Sequence, residues 1–136
     1  MIQNACQGTR VRRDEPGTSI CAVEATGPVP HVVITYDDGP EPGGTEGILA
    51  ALAAKGAIAR FFVLLSRVRR YPELFAEMVA GGHEIDLHGG DHRSLPGLEP
   101  AVVQRNTAEA KQELQEILGR SVRWFRPPYG DQSPAS

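Results

Sequence analysis

His31-Val32-Val33-Ile34-Thr35-Tyr36-Asp37-Asp38-Gly39-Pro40 is the stretch whose reading decides the fold. Its first six residues, rich in β-branched side chains, predict a buried strand over 31–36. Two adjacent carboxylates follow, and Gly39-Pro40 then turns the chain. Like charges packed this closely repel, and each raises the other's pKa unless a cation or strong donor lies between them. Alternation would send Asp37 and Asp38 to opposite faces, so both reach one site only if the strand ends here. Taken in isolation, these residues also fit an Asp-Gly turn in which one carboxylate bonds its own backbone.

Outward from this stretch the chain alternates. Thr45 is the expected N-cap of an Ala-rich helix carrying Ile48, Leu49 and Leu52 and ending at Gly56. A second strand is predicted over 58–65. A helix follows from about Tyr71 to Ala80, with Pro72 in its first turn and Gly81-Gly82 stopping it. A third strand spans 83–88, a long helix 100–118 closes at Gly119, and a fourth strand covers 122–125. Such alternation predicts an α/β fold with a parallel sheet and right-handed crossovers. In sheets of this kind chemistry gathers at the carboxyl ends of the strands. Asp37 and Asp38, His88, and Arg126 to Tyr129 all fall at predicted strand ends.

His88-Gly89-Gly90-Asp91-His92 has the separation of a metal-binding pair, but two glycines weaken a helix by about 1 kcal/mol each. They fit a strand end folding into a tight turn that brings both rings to one ion. The plainer alternative is that one or both histidines bond loop carbonyls. His83 has odd spacing from His88 and is expected to face away in a structural role. Asp38 with His88 and His92 makes a borderline donor set suited to zinc, with cobalt, nickel or iron as alternatives, rather than calcium. Three protein ligands leave positions open for water and substrate.

In Arg126-Pro127-Pro128-Tyr129-Gly130 the two prolines hold the backbone extended and remove two successive N–H donors. The Tyr129 amide is then a fixed donor suited to an oxyanion. Arg126 can hold Asp37 ionised and distinct from Asp38. Read alone, the segment is equally a proline-rich turn with a surface arginine.

Composition sets the outer bounds. The chain has 136 residues, 40% hydrophobic and 23% charged, with a net charge of −3, which is one domain's worth of ordinary globular sequence. That charge argues against nucleic acid as a partner. The clusters Arg10-Val11-Arg12-Arg13 and Arg67-Val68-Arg69-Arg70 read as solvated surface. No apolar stretch is long enough to span a bilayer, so no membrane partner is expected. Residues 1–29 read as an irregular leader, interrupted by charges and Gly-Pro breaks, with no visible signal peptide; the chain as written is expected to be cytoplasmic. Cys6 and Cys21 lie there and are expected to be free thiols, a disulfide being the alternative in an oxidising compartment.

Thr35-Tyr36-Asp37-Asp38-Gly39-Pro40, His88 to His92 and Arg126-Pro127-Pro128-Tyr129 resemble, in order and spacing, the three leading motifs of the polysaccharide deacetylase family, the NodB-homology carbohydrate esterases. Phe61-Phe62-Val63, Tyr71-Pro72-Glu73-Leu74 and Gly82-His83-Glu84-Ile85 are also similar to that family, and the resemblance runs from about Val29 to Gly130. It implies a distorted (β/α) barrel, of which residues 30–136 carry only about the first four β/α units. It further implies Asp37 as general base, Asp38, His88 and His92 as metal ligands, and Arg126 as the residue orienting the base. The implied substrate is an N-acetylated glycan, and family members are often secreted or attached to the cell envelope.

Three positions depart from the family pattern. Gly89 replaces the Ser or Thr that follows the first histidine, Leu87 stands in place of Asn, and Asp86 in place of a small residue. No histidine follows His92 to protonate the leaving amine, so the chain is expected to be C-terminally truncated, and uncovered sheet edges leave self-association open. The alternatives are a non-catalytic domain that binds metal or glycan, and a non-haem iron oxygenase. The latter requires an all-β fold that the helical stretches oppose.

Overall fold

The computed structural model describes residues 32–130. The leader, with Cys6, Cys21 and the first basic cluster, and the first strand residue His31 lie outside the described residues.

Strand β1 covers Thr35–Asp37, β2 Arg60–Leu64 and β3 Glu84–Gly89. They form one parallel sheet in the order β1-β2-β3, with Tyr36 beside Phe61 and Phe61 beside Ile85. The first strand is shorter and less buried than 31–36 predicts. Val33 and Ile34 are exposed, and only the Ile34 carbonyl joins the sheet, accepting from the Arg60 N–H at 2.9 Å. β1 is an edge strand with one neighbour among the described residues, so half its backbone and one flank of its side chains stay uncovered.

The helices are α1 (Thr45–Ala54), α2 (Leu65–Arg70), α3 (Pro72–Ala80) and α4 (Pro100–Leu118). α3 and α4 lie where the Pro, Gly and apolar signals place them, and Gly119 closes α4 at φ 66°. Thr45 is not the N-cap of α1; Gly44 is. The Thr45 hydroxyl is buried and accepts from the Glu41 N–H at 2.9 Å, so it ties down the loop after Asp38.

α2 replaces what reads in sequence as the end of a strand and a basic surface run. Its arginines are partnered: Arg67 with Glu41, Arg69 with Glu113 of α4, and Arg70 with the Tyr71 ring.

Pleat alternation divides the sheet into two faces. Phe61, Val63, Ile85 and Leu87 enter a core with Leu52, Val68, Phe75, Met78, Ala110, Leu114 and Val122, contributed by the four helices and the segment after α4. Arg60, Phe62, Asp86 and His88 belong to the other face. The apolar face anchors the sheet, and the opposite face is free to carry polar chemistry.

Val122–Phe125 is not a fourth strand. It touches β3 through a single parallel bridge, Leu87 with Phe125, in which Leu87 N–H donates to the Trp124 carbonyl at 3.1 Å and Arg126 N–H to the Leu87 carbonyl at 2.9 Å. A continuing parallel ladder would pass the Trp124 N–H to the Ile85 carbonyl. It goes instead to Asp86 Oδ1, at 2.8 Å. The described residues therefore form an open three-stranded sheet with an appended extended segment, and a closed barrel is not formed by them. No helix among them is long and apolar enough to cross a membrane.

Candidate metal centre

Three loops meet at the carboxyl ends of the strands. The Leu64 N–H donates to the Gly39 carbonyl at 3.2 Å, and the Ser66 N–H to the Gly90 carbonyl at 2.9 Å. The end of β2 thus holds the Asp38 loop on one side and the His88–His92 loop on the other.

β1 ends at Asp37, and Asp38 adopts φ 71°, a left-handed conformation that Asp tolerates better than most residues. Leaving the pleat at that point separates the two carboxylates. Asp38 Oδ1 lies 3.2 Å from His88 Nε2 and 3.1 Å from His92 Nε2. One donor atom from each of the three residues falls within 4.8 Å of the others. Asp37 Oδ1 instead accepts from Arg126 Nη1 at 2.6 Å. Arg126 Nη1 also donates to the Thr35 hydroxyl at 3.1 Å, and the guanidinium lies 4.0 Å over the Phe62 ring.

His88 is buried, and its Nδ1 lies 2.7 Å from the Arg126 carbonyl oxygen. A carbonyl only accepts, so Nδ1 is the donor to it and Nε2 is the nitrogen turned toward Asp38. Nε2 faces a carboxylate oxygen, a contact that a proton or a metal cation between the two satisfies. The arrangement fits a divalent ion bound by two imidazoles and a carboxylate.

His92 stands half-exposed, its ring 5.3 Å from that of His88 and edge-on to Tyr129 at 4.3 Å. Tyr129 sits in a 3-10 turn, Pro128–Gly130, at φ 62°.

All six sequence-predicted residues, Asp37, Asp38, His88, His92, Arg126 and Tyr129, therefore gather at one end of the sheet. His83 does not join them. It is buried against Phe61 in edge-to-face contact, and its Nδ1 accepts from the Ala59 N–H at 3.3 Å.

Gly89 has φ 132°, and a Cβ there would stand 3.0 Å from the Asp91 carbonyl. The glycine is what this backbone requires, so it is more than a lost hydroxyl. Sequence reasoning missed two supports of Arg126: the Thr35 hydroxyl and the Phe62 face. Thr35 was findable, since it lies two residues before Asp37 on the same face of the strand.

A sequence profile described as polysaccharide deacetylase matches residues 24–136. The peptidoglycan-N-acetylmuramic acid deacetylase PdaC of Bacillus subtilis is 31% identical over 133 residues, 95% of this chain and 28% of that protein. Its solved structure superposes with a TM-score of 0.69 at 35% identity, covering 74% of this chain and 50% of that one. A chitooligosaccharide deacetylase of Sinorhizobium fredii is 37% identical over 102 residues, 74% of this chain and 47% of that protein. A family 4 acetyl xylan esterase of Clostridium thermocellum, solved with a cobalt ion, gives a TM-score of 0.68 at 29% identity, covering 76% of this chain and 51% of that one. The chain thus spans about half the length, or less, of these relatives. It belongs to the polysaccharide deacetylase family.

Proposed function

We propose that the protein is a metal-dependent hydrolase that removes N-acetyl groups from an amino-sugar polymer or oligomer. The observation that carries this reading is the division of labour between two adjacent carboxylates. Asp38 is committed to His88 and His92, while Asp37 is committed to Arg126.

A divalent metal, most simply zinc, held by Asp38, His88 and His92 would supply Lewis-acid polarisation of the acetamide carbonyl. Arg126 holds Asp37 in place through Oδ1, leaving the second oxygen to take a proton from the attacking water. Water adds to the carbonyl carbon, and the Tyr129 N–H, the first amide after two prolines, would donate to the oxyanion. The C–N bond then breaks as the proton that Asp37 took from water passes to the nitrogen, which leaves as the amine, and acetate is released.

A second reading, a domain that binds metal or glycan without turnover, rests on the placement of the histidines. His88 and His92 face Asp38 and His83 lies on the opposite face, so no histidine among the described residues is left to protonate the amine.

Zinc content and acetate release from an N-acetylglucosamine oligomer, measured for the wild type and Asp37→Ala, decide between the two readings. Turnover lost in Asp37→Ala with zinc retained supports the hydrolase. Stoichiometric zinc with no acetate from the wild type leaves the binding domain. A wild type that binds no metal sinks the hydrolase and leaves only glycan binding for the second reading.

A further inference from the structure

Asp86 is a carboxylate in the middle of β3, 4% exposed, where an unpaired charge would be costly. All of its partners belong to two other segments. Oδ1 accepts from the Arg123 N–H at 3.0 Å and the Trp124 N–H at 2.8 Å, and Oδ2 lies 3.3 Å from Arg60 Nε. Arg60 also bonds Glu84, and its guanidinium lies 5.9 Å over the Trp124 ring.

The Asp86 side chain therefore does the work of a β-ladder. It captures the amides of the segment after α4 and fixes that segment's height along β3.

What the segment carries gives this clamp its consequence. Two residues past Trp124, the Arg126 side chain holds Asp37 and the Arg126 carbonyl holds His88 Nδ1. Asp86 and His88 also lie two apart on the same face of β3. A shift of the segment would release the proton on Nδ1, let the ring change tautomer and turn its lone pair away from Asp38.

We propose that Asp86 is a positioning residue for the metal centre: through the backbone of residues 123–126 it selects the His88 tautomer that binds metal and holds Arg126 on Asp37. This rests on the metal-site reading above. It concerns a carboxylate peculiar to this chain's pattern, outside the ligand set and the base.

The test uses the full chain with zinc as the probe. Zinc affinity by competition titration, the His88 ring tautomer by ¹⁵N NMR of the metal-free protein, and thermal stability are measured for the wild type, Asp86→Ala and Asp86→Asn. Asp86→Ala is expected to bind zinc about tenfold more weakly, the lower end of what loss of a partner of a ligand costs. Its His88 is expected to show mixed tautomers in place of a single Nδ1–H form. Asp86→Asn retains an oxygen for both amides and should restore most of the affinity and the single tautomer.

A lowered melting temperature with wild-type zinc affinity and tautomer would mark Asp86 as merely structural and overturn the proposal. The wild type supplies a measurement that needs no variant, because coupling between two sites is reciprocal. Zinc should slow exchange of the Arg123 and Trp124 amides more than that of Val122, whose N–H is held by Gln115 Oε1 at 3.0 Å. Equal slowing at all three overturns the proposal. A wild type that binds no zinc overturns it together with the metal-site reading, whereas zinc binding unaltered by Asp86→Ala overturns this proposal alone.

Discussion

The main-chain carbonyl of Arg126 accepts from Nδ1 of His88 at 2.7 Å, while the side chain of the same arginine holds Asp37 at 2.6 Å. One residue therefore sets the orientation of His88 with its backbone and of Asp37 with its guanidinium. The two halves of the site cannot be displaced independently.

His92→Ala removes a half-exposed imidazole proposed as a metal ligand and leaves the core untouched. Zinc affinity should fall by more than the roughly 10–100-fold that loss of a hydrogen-bonding partner of a ligand costs. The metal-free protein should unfold at the same urea concentration as the wild type. Isothermal titration with zinc and urea unfolding in chelator check both halves.

Gly89→Ser restores the hydroxyl-bearing residue that the family's second motif carries, but on a backbone at φ 132° with the Asp91 carbonyl 3.0 Å from the new Cβ. The substitution should destabilise the fold by about 1–3 kcal/mol, the usual cost of holding a side chain in a region left to glycine. It should also weaken zinc binding, since His88 and His92 flank the turn. Urea midpoints and zinc titration of the purified variant measure this.

Leu114→Ala opens a cavity where α4 meets the sheet, at a side chain with no exposure. The expected loss is about 2–5 kcal/mol, set by how far the neighbours can collapse. Chemical denaturation gives the value directly.

Arg69 of α2 donates to Glu113 of α4 through Nε at 2.7 Å, and this hydrogen bond, with the attraction between the charges, holds the Glu113 carboxyl below its ordinary range. Since the folded value is the lower one, the contact stabilises fully above the unfolded carboxyl's pKa and fades as pH falls through the folded value. Glu113→Gln should therefore be slightly less stable than the wild type near neutrality. The gap should close in acid and in high salt. Paired urea curves across pH and ionic strength test it.

Much of the architecture was legible because it rests on local signals. Pro72, Gly81-Gly82 and Gly119 mark helix ends by backbone chemistry that needs no tertiary context, and α3 and α4 fall there. α2 was not legible. Its run of arginines hides the single apolar pair Leu65 and Val68, three apart, that enters the core, and the arginines pair with Glu41 and Glu113, 26 and 44 residues away. The segment 122–125 carries strand composition, yet its amides are claimed by a carboxylate 37 and 38 residues earlier.

By itself the sequence determined the alternating α/β order, the strand ends at which chemistry could gather, and the six residues brought to one of them. Spacing along the chain and the φ demands of Gly and Pro are local properties, so they survive without coordinates. Only the tertiary structure decided which nitrogen of His88 is turned toward Asp38, and that Asp86 replaces a rung of the sheet. Those choices depend on distances between segments far apart in the chain, which spacing along it does not fix.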